Sequence, residues 1–295
     1  IFSSLGSATN GAIHKYVNAR GVPHLFLPTG ATKWGDPKNF PWTMGWFPSY
    51  QTEARIFAKY VLKNKPDARI AVLFQNDEYG KDLLKGLQDG LGDKGSMIVA
   101  KASYEITDPT ADSQIAQLQA SRADVFVIFA TPKFAAQAIR KSHDMGWTAL
   151  RLLSSVVTSV SAVMRPAGPE KGVGILSATY MKDPADPSWG DDTTMKEYLS
   201  WLKKWYPAGD AGDLYNVWGY SIAQTMVQVL TRCGDDLTRE NVMRQATNLK
   251  DFDLPMLLPG IRINTSPTDF YPIKQMQLMR FNGKEWVRFG ELMGN

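Results

Sequence analysis

The stretch ARIAVLFQNDEYGKDLLKGLQDGL, residues 68–91, is a near-continuous apolar run followed by a polar loop and then a helix with its apolar positions on one side. An apolar run without alternation predicts a strand buried on both faces, and the helix after it covers one of them. The same unit recurs along the chain. VPHLFLP (22–28) leads into the loop TGATKWGD (29–36), and SMIVAKASYE (96–105) into the helical DPTADSQIAQLQAS (108–121). ADVFVIFA (123–130) then leads into FAAQAIRKSHDMGW (134–147). Strands alternating with helices in this way predict an α/β protein with parallel strands, which places ligands beyond the strand ends.

The flanks are less regular. In IFSSLGSATNGAIHKY (1–16), Ile1 and Phe2 read as the end of a strand, Ser3 to Asn10 as a loop and Gly11 to Tyr16 as the start of a helix. After KGVGILSATY (171–180), the Pro-rich and acidic MKDPADPSWGDD (181–192) reads as a long connection. Helices are expected over 193–206, 214–231 and 238–249. The tail 260–293 alternates like a β meander, with FNGKEW (281–286) as a hairpin turn.

With 295 residues, 44% apolar and 21% charged, the chain is long enough for one large or two ordinary domains and is not of disordered composition. No apolar run is long enough to span a bilayer, and the first residues lack the pattern of a secretory signal. A net charge of +4, distributed along the chain without a basic stripe, argues against nucleic acid as a partner. Cys233 is the only cysteine, which excludes an intrachain disulfide.

Catalytic signatures are missing where they would be needed. Gly6 and Gly11 are too far apart for a dinucleotide loop, and no phosphate-binding GxxxxGK[ST] occurs. His14, His24 and His143 show no metal-ligand spacing, and SSVVTSVS (154–161) lacks the elbow that presents a nucleophilic serine. Hydroxyls and glycines instead crowd the strand ends, as Ser3, Ser4, Gly6 and Ser7 in one loop and Thr29, Gly30 and Thr32 in another. Each position has an ordinary role as a helix cap. Two such loops side by side also gather N–H and O–H groups around an anion, which favours binding over bond breaking.

SSLGSATN (3–10), VPHLFLPTGATKWGDP (22–37), FPWTMGWFPSYQTEARIFAKYVL (40–62) and the 68–91 stretch resemble, in this order, the branched-chain amino acid type of solute-binding protein that serves ATP-binding-cassette importers. GVGILSATYMKDPADPSW (172–189) and WGYSIAQTMVQVL (218–230) continue the likeness, which spans the chain. The resemblance implies a type I periplasmic binding fold of two Rossmann-like α/β lobes joined by three crossings, near 49–50, 180–183 and 274–278. Lobe one would be 1–48 with 183–276, and lobe two 49–182 with 277–295. It further implies that roughly 70 residues precede Ile1, so that the first lobe lacks its N-terminal strands here. No catalytic residue, metal or cofactor is implied. The implied partners are a small organic solute and a membrane permease, the implied location the periplasm or cell surface, and the implied state a monomer or dimer. A ligand sensor is the neighbouring alternative, and a serine hydrolase using Ser154 or Ser155 a remote one.

Carried over residue by residue, the likeness assigns the ligand α-carboxylate to Ser4, Leu5, Gly6, Gly30 and Thr32, and an aromatic cover to Tyr79. Amino-acid binders usually place an acid after the strand matching LRLLSSVV (150–157), yet only Ser154 and Ser155 stand there. A commonly aromatic position is Ala130 or Thr131. An ammonium group shut in without a carboxylate loses water and gains no counter-charge. The expected ligand is therefore an amine-free aromatic carboxylate, such as a benzoate or hydroxycinnamate, walled by Trp34, Trp46, Phe47, Tyr79 and Phe129, with Tyr180 at the second crossing. A branched-chain or other amino acid, or an amide, is the alternative.

Overall fold

A computed structural model describes residues 1–294. Its larger sheet has seven strands, β3 (Ile70–Gln75), β4 (Ile98–Tyr104), β5 (Val125–Phe129), β6 (Leu150–Leu153), β7 (Leu176–Thr179), β8 (Gln275–Phe281) and β9 (Trp286–Gly294), in the order β4-β3-β5-β6-β7-β8-β9. The first five are parallel, and β8 and β9 add antiparallel at the β7 edge. Along β3, Ile70 and Val72 point into the core shared with α2 (Tyr50–Asn64) and α3 (Glu78–Leu91). Ala71 and Leu73 point into the core shared with α4 (Asp112–Ala120) and α5 (Pro132–Asp144). Both faces of the strand are dry, which is why the run 70–74 shows no polar alternation.

The second body is built on β1 (His24–Leu27), parallel to β2 (Thr43–Gly45), with Phe2 bridging Leu25 on the other side. Around it lie α1 (Ser7–Ala19), α7 (Thr193–Trp205), α8 (Leu214–Cys233) and α9 (Arg239–Ala246); the one-turn α6 (Arg165–Ala167) belongs to the larger lobe. The chain passes between lobes after β2, after β7 and before β8. At the second passage the Leu258 N–H donates to the Tyr180 carbonyl (3.0 Å) and the Lys182 N–H to that of Met256 (2.9 Å), which ties the crossing to the smaller lobe. Trp46, fully buried beyond β2, donates its ring N–H to the Thr225 hydroxyl oxygen on α8 (3.0 Å). Thr225→Val is expected to strand that N–H away from water and to cost about 1–3 kcal/mol, read as a lowered denaturant midpoint.

Three local expectations need correction. Helix α1 starts at Ser7, not Gly11, because Gly6 turns the chain at φ 96° and Ser7 is held by its tertiary bond to Thr29. Helix α9 is shorter than 238–249: Thr238 caps its start by accepting from the Asn241 N–H, and the helix stops at Ala246. Only 275–281 and 286–294 of the tail are strands. Pro267 and Pro272 remove ladder donors from the earlier part, which is held instead by single bridges, Phe252 to Ile263 and Ser266 to Asp269. The hairpin closes as expected, with Phe281 opposite Trp286.

Candidate functional site

The two lobes meet along a seam whose ends are fastened by polar contacts. At one end the Thr32 N–H and hydroxyl both donate to Asp82 Oδ2 on α3 (2.8 Å each), Gln51 donates to Asp82 Oδ1 (2.6 Å), and Lys33 pairs with Glu78. The Tyr271 hydroxyl donates to the Thr32 carbonyl (2.6 Å) and steadies the same loop. At the other end Ser159 donates to Asp213 Oδ1 (2.9 Å), and Tyr215 on α8 to the Val156 carbonyl (3.1 Å).

Between these fastenings lies a buried polar centre. Ser7 and Thr29 share a hydrogen bond of 2.6 Å, and the Tyr50 hydroxyl reaches both. The Tyr50 ring meets Tyr79 edge-on at 5.0 Å, and Tyr79 donates to the Ala130 carbonyl (3.0 Å). One turn along α2 from Tyr50, Glu53 is 1% exposed, and its oxygens accept from the Ser155 N–H (2.7 Å) and hydroxyl (2.6 Å). Burial pushes the Glu53 carboxyl up to about 7, against bonds from Ser155 and a lean by Ser154; the opposing groups are hydroxyls and an amide rather than a cation. Burial likewise lifts Tyr50 to about 12, and Tyr79 and Tyr180 well above the usual phenol range. The Tyr180 hydroxyl and Ser154 Oγ are buried without a hydrogen-bond partner; Ser154 approaches Glu53 and Tyr79 without reaching good geometry.

The seam therefore gathers Gly30, Tyr79, Ala130, Ser154, Ser155 and Tyr180 around Tyr50 and Glu53. Gly30 contributes through closeness, since a Cβ there would lie 2.2 Å from the Pro48 carbonyl. Its carbonyl accepts from the Tyr50 N–H (2.7 Å), and its own N–H faces the Tyr50 hydroxyl. Other expected contacts are placed differently. Leu5 is 69% exposed, and the carbonyls of Ser4 and Gly6 hold the Asn10 side chain (2.7 Å each). Trp34 is packed edge-on against His14, and Phe129 is wholly inside the larger lobe. Phe47 stacks at a tilt on Trp218, 4.6 Å away, and both Phe47 and Trp46 come within about 6 Å of the Tyr180 ring. The Thr131 hydroxyl is committed to Gln75 Oε1 (2.9 Å) and its N–H to the Tyr104 hydroxyl (2.9 Å). Thr32 spends both donors on Asp82.

Glu53 overturns the premise that the cleft holds no acid. The acid comes from α2, about a hundred residues before the loop where the sequence places none. A signal existed: Tyr50, Glu53, Ala54, Phe57, Ala58 and Val61 form one helical stripe, and Glu53 is the only charge in it. Ser7 and Thr29 stand out in the sequence only as members of their loops, and nothing there singles out Tyr50 or Asp82 for the site. Among the described residues no cluster of three or more His, Cys, Asp or Glu side chains suits a metal ion, and no helix is long and apolar enough to cross a membrane.

Two α/β lobes joined by three chain passages are the architecture of a type I periplasmic binding protein. The chain belongs to the periplasmic binding protein family, whose sequence model matches residues 1–285. Solved structures of low identity share the fold. A substrate-binding periplasmic protein from Ralstonia solanacearum is 22% identical with a TM-score of 0.83, over 97% of this chain and 79% of that one. A branched chain amino acid ABC transporter from Thermus thermophilus, solved with bound valine, is 14% identical with a TM-score of 0.86, over 99% and 77%. A possible leucine/isoleucine/valine-binding protein from Rhodopirellula baltica is 17% identical with a TM-score of 0.82, over 97% and 76%. No curated protein matches the chain.

Proposed function

We propose that the protein is the solute receptor of an ATP-binding-cassette importer, located in the periplasm or at the cell surface, and that its solute belongs to the amino-acid and amide class. The observation that carries this reading is Glu53, a buried acid in the seam whose partners are Ser155 and not a cation. Such a group accepts hydrogen bonds from a nitrogen-bearing ligand, and it repels the carboxylate of an aromatic acid. The aromatic rings expected to flank a flat ligand are meanwhile engaged in packing, Trp34 with His14 and Phe47 with Trp218.

In this reading lobe one comprises 1–48 and 183–276, lobe two 49–182 and 277–295, and the three passages are hinges. Ligand shifts the population toward the closed form only if it binds that form better, so contacts to both sides of the seam are required. The family's description as periplasmic binding proteins, and the naming of the Thermus thermophilus structure as a branched chain amino acid ABC transporter, support the partner assignment.

The test is a thermal-shift screen over amino acids, amides, aromatic acids and dicarboxylates, followed by Trp emission to detect closure. Nitrogenous solutes are expected to raise the melting temperature by several degrees. A response confined to benzoates or cinnamates would return the ligand to the aromatic acids.

A further inference from the structure

Three features of the seam bear on ligand charge, and each stands apart from the titration of any one group. Its acidic side chains are Glu53 in the centre, Asp82 and Glu78 at one end and Asp213 at the other. The cations nearby are engaged, Lys33 by Glu78 and Arg55 by a bond from its guanidinium to the Thr52 hydroxyl oxygen (3.1 Å). The Thr32 N–H and hydroxyl, the paired donors best suited to an incoming carboxylate, both end on Asp82 Oδ2, so the protein's own acid takes that role.

The centre also contains hydroxyls that lack partners. Tyr180 is 3% exposed with an unpaired OH, and Ser154 is fully buried with an unpaired Oγ. Both can donate. Glu53 beside them, through its remaining lone pairs, can accept. An ammonium group offers only donors, and a carboxylate only acceptors. A planar carboxamide or urea offers both within one group: its NH₂ faces Glu53 and its C=O faces the Tyr180 and Ser154 hydroxyls. It brings no charge into a seam that already contains acids.

Resting on the receptor reading above, we propose that the seam selects an uncharged carboxamide or urea-type solute over the corresponding carboxylate, with Glu53 taking the N–H groups and Asp82 closing the anion subsite at Thr32. Tyr79 and Tyr50 lie over the same centre and close against the solute's remaining surface.

Isosteric pairs test this directly: isobutyramide against isobutyrate and benzamide against benzoate, with urea and valine alongside, titrated by calorimetry into the full chain and its variants. Each amide is expected to bind about tenfold or more tighter than its acid. Glu53→Gln is expected to weaken the amides about tenfold, and Asp82→Ala, which releases the Thr32 donors, to raise affinity for the acids by a similar factor. Circular dichroism of each variant checks that it is folded, and the two substitutions lie on different helices, so one misfolded variant leaves the other informative. Acids binding as tightly as amides, or valine binding while the amides do not, would overturn the proposal and leave the receptor reading intact. Silence from every solute, including the wider screen, would overturn the receptor reading itself.

Discussion

Gly80→Ala is expected to lower the unfolding free energy by about 3 kcal/mol or more, although alanine is the better helix former. Gly80 lies in the first turn of α3, and its N–H reaches the Asp77 cap (3.2 Å). A Cβ there would be 2.2 Å from the carbonyl oxygen and 2.6 Å from the nitrogen of Gln75 at the end of β3, and backbone cannot rotate aside as a side chain would. Either α3 lifts from the sheet or the strand end bends. Both outcomes shift Tyr79, Glu78 and Asp82 together, so ligand affinity is expected to fall with stability. Gly219, in the exposed middle of α8 with nothing within 4 Å of its Cβ position, is the control. Gly219→Ala is expected to stabilise by about 0.5–1 kcal/mol, because it only removes freedom from the unfolded chain. Urea denaturation of both variants measures the contrast, and equal midpoints would refute the close approach at Gly80.

Stability is also expected to fall as pH rises from about 4.5 to about 7, and the cause is Glu53. Its folded-state carboxyl is raised from the ordinary 4.5 to about 7, chiefly by burial. Between those values the folded protein binds more protons at this site than the unfolded chain does, so each rise in pH favours unfolding. Above the folded value the loss is complete, and it amounts to about 3 kcal/mol at most for a shift of this size. Asp183, also raised by burial, to about 6, works in the same direction, while Asp192, held near 2 by Lys182 and its hydrogen bonds, loses its contribution only in strong acid. The difference between wild type and Glu53→Gln across pH 4.5 to 8 therefore isolates Glu53. The variant is expected to show a flatter profile and the higher melting temperature at pH 8; parallel profiles would place Glu53 in water.

The β3 to α3 unit was legible because local rules and tertiary demands agree there: a strand dry on both faces has no polar positions to alternate, and Asp77 begins the helix by capping it. The same agreement made β4, β5, α5, α7 and the 281–286 turn readable. It failed at α1, where the bond between Ser7 and Thr29 draws the helix start four residues forward, and in the tail, where prolines interrupt an alternation that looked like strands.

The site was less legible. Loops rich in Ser, Thr and Gly marked strand ends that face the seam, and Tyr79, Ser155 and Tyr180 meet there. Whether a hydroxyl faces a ligand, caps a helix or is already spent depends on partners far along the chain. Thr32 is spent on Asp82, fifty residues away, and Thr131 on Gln75, fifty-six away. The amino-acid sequence by itself determined the α/β alternation and the family likeness, because these rest on local periodicity and short ordered motifs. The tertiary structure alone decided the charge of the seam. Glu53 and Ser155 are 102 residues apart and meet only when α2 packs beneath the loop after β6, and no local pattern encodes that meeting.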